Sequence, residues 1–231
     1  DLGLDDEVAG ITKFCVHPQK WFNTKTRIGG TKNLNIEKIR SLSPDLIIAN
    51  KEENVKEQIE ALENIAPVWI SDVNDFDDAL QMIESIGAIT NKTTAAQNIT
   101  AQIKNKFAQL KTQGQPQRAC YLIWKDPYMT VGGDTFIHSM MQQCGLQNVF
   151  EKQTRYPEIQ LKQLAALDCK LILLSSEPFP FGQKHISEMQ EQIPDAKIVL
   201  VNGEMFSWYG SRMFAAADYF RQLIKRINSN G

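Results

Sequence analysis

Short apolar runs alternate along the chain with longer stretches in which apolar residues recur every three to four positions. A short run is typical of a buried strand, and the longer spacing is typical of a helix with one buried face. Strands are predicted at residues 8–13, 45–49, 68–70, 118–124, 170–174 and 197–201. Helices are predicted between them at residues 52–64, 76–86, 136–144, 184–192 and 212–227. This alternation predicts an α/β fold with parallel-rich sheets.

One further helical stretch is longer than the others. From Asn91 to about Lys111 the sequence contains no Gly or Pro, and its apolar residues follow the spacing of a single buried stripe. Asn91 suits the N-cap of this helix, and Gly114 suits its end. At about 1.5 Å per residue the helix would be roughly 30 Å long, enough to cross a small protein. We therefore predict two small α/β lobes, residues 1–89 and 115–231, joined by a bridging helix within residues 90–114.

The two halves of the chain repeat each other at a constant offset and without a gap. The matched pairs are Leu34 with Ile159, Ile36 with Leu161, Ile39 with Leu164, Leu42 with Leu167, residues 46–48 with 171–173, and Glu52 with Glu177. Any two helix–strand units share some apolar positions by chance. A gapless match on either side of the long helix favours two related lobes.

Composition narrows the function classes. The formal net charge of -2 argues against a broad basic surface for nucleic acid, and no apolar run approaches the roughly 20 residues of a membrane span. None of the four cysteines forms a CxxC pair, and Cys120 and Cys169 lie in apolar runs where buried free thiols are expected. Of the three histidines only His17 lies near a candidate site, so we predict no site for a bare metal ion.

The loops that follow the predicted strands carry the candidate site. In parallel α/β sheets ligands bind beyond the carboxyl ends of the strands, and these loops are unusually aromatic. The candidate ligand-binding residues are His17, Trp21, Thr31, Lys32, Asn50, Trp124, Tyr128, Tyr156, Phe179, Trp208, Tyr209 and Arg212. Rings of this kind suit a large, flat, partly apolar ligand held in the cleft between the lobes.

Some of the rings are instead expected to fill the lobe cores. We predict a core position for Phe14, Phe136 and Phe150. For Trp21 and Phe179 a core position and a ligand-facing position are equally expected.

Several segments resemble one family. Residues 30–33 and 39–49, with the run Leu-Ser-Pro-Asp-Leu-Ile, resemble the N-lobe of the helical-backbone substrate-binding proteins of ABC importers. Residues 131–136 and 144–150 are similar to the opening of that family's C-lobe. These proteins are receptors for vitamin B12 and ferric siderophores, and the cobalamin-binding branch is the most similar to this chain.

The resemblance implies a function and its partners. The chain would be a non-enzymatic, monomeric, periplasmic or otherwise extracytoplasmic receptor, with or without a lipid anchor, that delivers its ligand to an ABC permease dimer. The ligand would be a corrinoid, with a ferric siderophore or haem as alternatives, so the metal would arrive inside a macrocycle or chelate and no resident cofactor is expected. Acidic residues on each lobe would contact the permease. The repeat nominates Glu52 and Glu177 for these positions, and Glu53 or Glu57 lies near enough to take the place of Glu52.

The resemblance has limits. His17 and Tyr156 match ligand-facing aromatic positions of the cobalamin receptors, but the tryptophans that some of them carry near Thr31 and Asn50 are absent. The family's opening strand and helix are also absent from the sequence, so the first lobe is expected to lack its first strand. A two-lobed chelatase-like enzyme is the alternative hypothesis, although the sequence shows no Ser/His/Asp arrangement and no GxSxG elbow.

Overall fold

The computed structural model describes residues 1–110 and 115–229. The chain divides into two compact units, Asp1–Asp72 and Val73–Gly231. This division differs from the predicted first-lobe limit at residue 89, because the helix Phe76–Ile89 packs against helices of the second unit. Its apolar side chains, such as Leu80 and Ile83, are buried there.

The first unit contains short strands and three helices in its described residues. Its elements are β1 Gly10–Ile11, α1 Gln19–Thr24, β2 Thr26–Arg27, β3 Gly29–Gly30, β4 Asn33–Leu34, α2 Ile36–Ser41, β5 Ile47–Asn50, α3 Lys56–Glu63 and β6 Val68–Ser71. Strands β1 and β2 pair in parallel, as do β5 and β6, whereas β3 and β4 form an antiparallel pair. Ile39, Ala49, Ile59 and Leu62 form the core between these elements.

The second unit is built on a parallel sheet. Its elements are α4 Phe76–Ile89, α5 Thr93–Ala108, β7 Gln117–Leu122, α6 Phe136–Gln143, β8 Leu146–Asn148, α7 Leu161–Ala166, β9 Leu171–Ser175, α8 Gln183–Gln192, β10 Lys197–Val201, α9 Glu204–Ser207, a 3-10 helix Gly210–Arg212, and α10 Met213–Asn228. The strand order is β10-β9-β7-β8, and every adjacent pair is parallel. The predicted α/β class with parallel sheets is therefore confirmed.

Each predicted strand and helix overlaps an element of the structure, with ends shifted by a few residues. The sequence missed the elements that are too short to set up a periodic pattern. These are β2, β3, β4, β8, α1 and α9. They matter for function, since α1 and α9 carry or adjoin candidate site residues.

The long helix forms as α5, with buried Ile99, Ile103 and Phe107 as its predicted stripe. Its predicted N-cap is wrong: Asn91 has a φ of 56° and ends the turn from α4, because asparagine tolerates the left-handed conformation better than most residues. The predicted end at residues 111 and 114 lies outside the described residues. Helix α5 packs on α4 and α10 within the second unit, and its role as a bridge stays a prediction.

The internal repeat is present in the folded units. Helices α2 and α7 begin and end at matched positions. The loops after them turn at the matched residues Ser43 and Asp168, whose φ angles are 45° and 47°. Strands β5 and β9 then end at the matched residues Asn50 and Ser175. The sequence match thus corresponds to one helix–turn–strand unit that occurs in both halves.

Candidate functional site

The candidate rings of the second unit lie beyond the carboxyl ends of its strands. Trp124 follows β7, Phe179 follows β9, and Trp208 follows β10 and the short helix α9. Because these strands are parallel, their carboxyl ends meet at one edge of the sheet. The loops that the sequence singled out are therefore neighbours in this unit.

One aromatic cluster joins the loops after β7 and β9. The Trp124 ring packs edge-on against Phe179 with 5.7 Å between centroids, and Phe179 in turn contacts Phe181 at 4.7 Å and His185 at 5.4 Å. Phe181 and His185 are buried, whereas Trp124 is 40% exposed. Nearby Tyr128 packs on the same core, and burial raises the pKa of its hydroxyl. The cluster thus anchors Phe179 against buried side chains and leaves part of the Trp124 ring exposed.

A second group lies after β10. The indole Nε1 of Trp208 donates a hydrogen bond of 2.9 Å to Oε1 of Glu177. The Tyr209 ring meets Phe136 edge-on at 5.4 Å. Arg212 forms an ion pair with Glu204. Its Nε–H is buried and has no acceptor within residues 1–110 and 115–229, an arrangement that folding disfavours.

Tyr156 lies in the loop before α7, just ahead of the first matched residue of the repeat in this unit. Its ring is half-buried, and the guanidinium of Arg155 lies 5.4 Å from the ring centroid. The backbone N–H of Arg155 donates to Asp134 at 2.6 Å, which holds the loop against the turn that precedes α6. A cation above an aromatic face is attracted to it electrostatically.

In the first unit, Trp21 lies on α1 and is tied to the start of the chain. Its Nε1 donates to Oδ1 of Asp5 at 2.7 Å, and this hydrogen bond, with that from Lys20, lowers the pKa of the Asp5 carboxyl. His17 is exposed in the loop before α1. The predicted core position of Phe14 is wrong. Its side chain is 57% exposed, and the Lys13 ammonium lies 5.0 Å from the ring centroid.

The remaining candidates of the first unit gather at the carboxyl end of β5. The Lys32 ammonium donates to the carbonyl oxygen of Glu52 at 2.8 Å, and the Thr31 hydroxyl donates to the Glu53 carboxylate at 3.4 Å. Asn50 accepts from the backbone N–H of Glu53 at 2.9 Å through its side-chain oxygen. The ligand candidates Thr31 and Lys32 therefore lie on the same small surface as the acidic residues Glu52 and Glu53. In the sequence these two groups were separate predictions.

His138 and three of the four cysteines are buried in the second unit. His138 is buried within hydrogen-bonding distance of Asn148, and burial lowers the pKa of its imidazole. Cys120, Cys144 and Cys169 are buried, and burial raises their pKa values, that of Cys169 to about 11. Phe136 and Phe150 are buried as predicted.

Within the described ranges no group of three or more His, Cys, Asp or Glu side chains is placed to hold a metal ion.

Sequence reasoning missed three residues of these sites. Asp5, Ser207 and Gly203 each contact a candidate residue or its partner. A lone aspartate near the start of the chain, a serine beside a tryptophan and a single glycine carry no periodic or motif signal, so the sequence alone offered no means of finding them.

No helix in the described part of the chain is long and apolar enough to cross a membrane. The sequence model of the family described as "periplasmic binding protein" matches residues 1–199. Among curated proteins, a vitamin B12-binding protein of Vibrio cholerae is 23% identical over 185 residues, which cover 78% of this chain and 67% of that protein.

Two solved structures extend the comparison to the fold. The periplasmic vitamin B12 binding protein of Vibrio cholerae matches with a TM-score of 0.75 at 18% identity, over 97% of this chain and 91% of that one. A periplasmic haem-binding protein in complex with two haems matches with a TM-score of 0.81 at 17% identity, over 95% and 88% of the two chains. At these identities the likeness concerns the fold and leaves the ligand undecided.

Proposed function

This chain belongs to the periplasmic binding protein family, class III, and from that premise we propose that it captures a corrinoid and delivers it to its permease. The family membership makes the chain the substrate-binding component of an ABC importer, a transport protein and not an enzyme. The corrinoid is the finer part of the proposal. The observation that carries it is the pair of rings in the loops after β7 and β10, Trp124 and Trp208, each held by another side chain of the same unit.

Ring geometry supports a large flat ligand. Trp124 is held edge-on by Phe179, and Trp208 is held through its indole N–H, so neither ring needs to be ordered when the ligand arrives. An aromatic face gains contact area with a macrocycle, while a bare ion would leave it unused. The curated relative in Vibrio cholerae is named for vitamin B12, which agrees with this class of ligand.

Haem is the second candidate. The solved haem-binding protein has a higher fold likeness to this chain than the B12 receptor has. His17 is an exposed imidazole in the first unit, and imidazole is a common axial ligand of haem iron. A ferric siderophore is the third candidate and rests on the family resemblance.

Titration of the purified protein decides between the ligands. We expect cyanocobalamin to bind with a Kd of about 1 μM or below, measured by calorimetry and by tryptophan fluorescence. Haemin and ferrichrome, titrated in the same way, are the competitors. Saturable binding of either one, with no heat from cyanocobalamin, would transfer the proposal to that ligand. If haemin binds, its Soret absorption band should shift on binding. Loss of that shift in His17→Gln would identify the His17 imidazole as the iron ligand.

The acidic residues Glu52, Glu53 and Glu177 are proposed to contact basic residues of the permease dimer. Glu53 offers the clearest test, because it is exposed. Of the hydrogen bonds described above, its carboxylate takes part only in the one from the Thr31 hydroxyl. We expect Glu53→Lys to lower ligand uptake through the reconstituted permease about tenfold, a larger loss than any change in ligand affinity that follows from its contact with Thr31. Glu63→Lys, at the exposed end of α3, is the matched control. Normal uptake by Glu53→Lys would remove this residue from the interface.

The resemblance adds three further proposals. The protein acts as a monomer, it is held at the membrane by a lipid anchor or by the permease alone, and a helix within residues 90–114 limits the movement of its lobes. Mass determination of the mature protein and its oligomeric state in solution test the first two.

A further inference from the structure

Glu177 lies in the loop directly after β9 and is half-buried. One oxygen of its carboxylate, Oε1, accepts two hydrogen bonds. The Ser207 hydroxyl donates at 2.8 Å and the Trp208 indole N–H donates at 2.9 Å. Hydrogen bonds to an ionised carboxylate are shorter and about twice as strong as neutral ones. The side chain therefore joins the loop after β9 to the end of α9.

This loop is fixed from the core of the unit. The hydroxyl of Tyr121, which is fully buried in β7, donates to the Ser175 hydroxyl at 3.0 Å. Ser175 donates in turn to the carbonyl oxygen of Glu177 at 2.6 Å. These hydrogen bonds fix the backbone of Glu177 to the sheet, and the Glu177 side chain carries the connection on to the indole of Trp208. The loop that bears the carboxylate is therefore anchored to the sheet.

The close approach of the two loops depends on Gly203. A Cβ at this position would lie 2.5 Å from Cγ of Glu177 and 2.5 Å from Oγ of Ser175, closer than real Cβ contacts allow. The backbone N–H of Gly203 also donates to the Ser176 hydroxyl at 2.9 Å. A side chain here would push the Glu177 loop away from α9.

We propose that Glu177 is a positioning residue for Trp208, holding the indole in the orientation that the ligand meets. The inference rests on the proposed function, since it assumes that Trp208 contacts the ligand. The indole has two rotatable side-chain torsions, and a ring ordered before binding loses little conformational entropy on contact. Loss of the carboxylate partner removes one of the contacts that order the ring before binding, at a cost in affinity.

Positioning Trp208 and contacting a permease require different properties of the Glu177 side chain. Two donors require an acceptor oxygen, which the side-chain carbonyl of glutamine also supplies. A basic pocket on a permease requires the negative charge. Glu177→Gln therefore separates the two roles, and Glu177→Ala removes both.

The experiment measures the ring and the ligand separately in the full chain. The Trp208 indole N–H is assigned in the ¹⁵N–¹H spectrum of the ligand-free protein by its loss in Trp208→Phe. We expect Glu177→Ala to shift and broaden this signal and to lower affinity for cyanocobalamin about tenfold. Glu177→Gln should restore the signal and bring affinity to within about threefold of the original. Gly203→Ala should reproduce the alanine phenotype with the carboxylate retained, and Gly182→Ala, whose Cβ meets nothing within 4 Å, is its control.

Each outcome has one meaning. An unchanged indole signal in Glu177→Ala overturns the inference, as does unchanged affinity in a variant whose signal has moved. Normal ligand affinity with lost uptake in Glu177→Ala assigns the residue to the permease contact alone and also overturns the inference. If the unaltered protein binds haemin in place of cyanocobalamin, only the proposed ligand fails, and the same variants are then titrated with haemin.

Discussion

Replacing Trp208 by alanine is expected to weaken cyanocobalamin binding about 100-fold, which is a change typical of a tryptophan at the centre of a contact surface. The ring lies after β10 and is held by Glu177, so its removal deletes contact area that is already ordered. Calorimetry on both proteins measures the change in Kd. Circular dichroism shows whether the second unit remains folded.

A conservative variant and a double variant refine this test. Trp208→Phe keeps an aromatic face but loses the N–H that Glu177 accepts, so its affinity should lie between those of the original and the alanine variant. Because Glu177 acts through Trp208, adding Glu177→Ala to Trp208→Ala should cause little further loss. Full affinity in the alanine variant would remove Trp208 from the ligand contact, and additive losses would show that the two residues act independently.

Phe220→Ala is expected to destabilise the second unit by about 3–5 kcal/mol. Phe220 lies on α10 and is fully buried. Its ring contacts Phe206 with 4.7 Å between centroids and Phe107 with 6.1 Å. The substitution leaves a cavity where helices α5, α9 and α10 meet, and α9 leads directly into Trp208.

Urea unfolding followed by circular dichroism measures this effect. Phe14→Ala is the matched control, because Phe14 is 57% exposed and its loss should change the free energy of unfolding by no more than about 0.5 kcal/mol. Equal effects of the two substitutions would contradict the burial described here. We also expect Phe220→Ala to lower ligand affinity, since the support of α9 is lost.

Particular elements illustrate how far the sequence reached. Periodicity located the sheet strands and the larger helices, because a buried strand and a one-sided helix impose different apolar spacings. The repeat placed Ile36 with Leu161 and Ser43 with Asp168, and both pairs occupy the same place in the folded units. The strand-end rule then selected loops that meet at one edge of the second unit's sheet.

Burial of individual rings was less predictable. Phe14, Phe136 and Phe150 looked alike in sequence, yet only the last two are buried. A phenylalanine is buried when neighbouring elements cover it, and apolar character alone does not secure that. Asn91 shows the same limit for backbone: it suited an N-cap, but the packing of α4 on α5 required a left-handed residue there.

The sequence by itself determined the α/β class, the repeat, the loops that carry the rings and the resemblance to one family of binding proteins. These depend on local spacing and on residue identities that are read along the chain. Only the tertiary structure decided that Glu177 meets Trp208, that Gly203 allows their loops to approach, and that the units divide at Asp72. Glu177 and Trp208 are 31 positions apart. A contact over that distance depends on how strands and loops pack, which the order of residues specifies only through the complete fold.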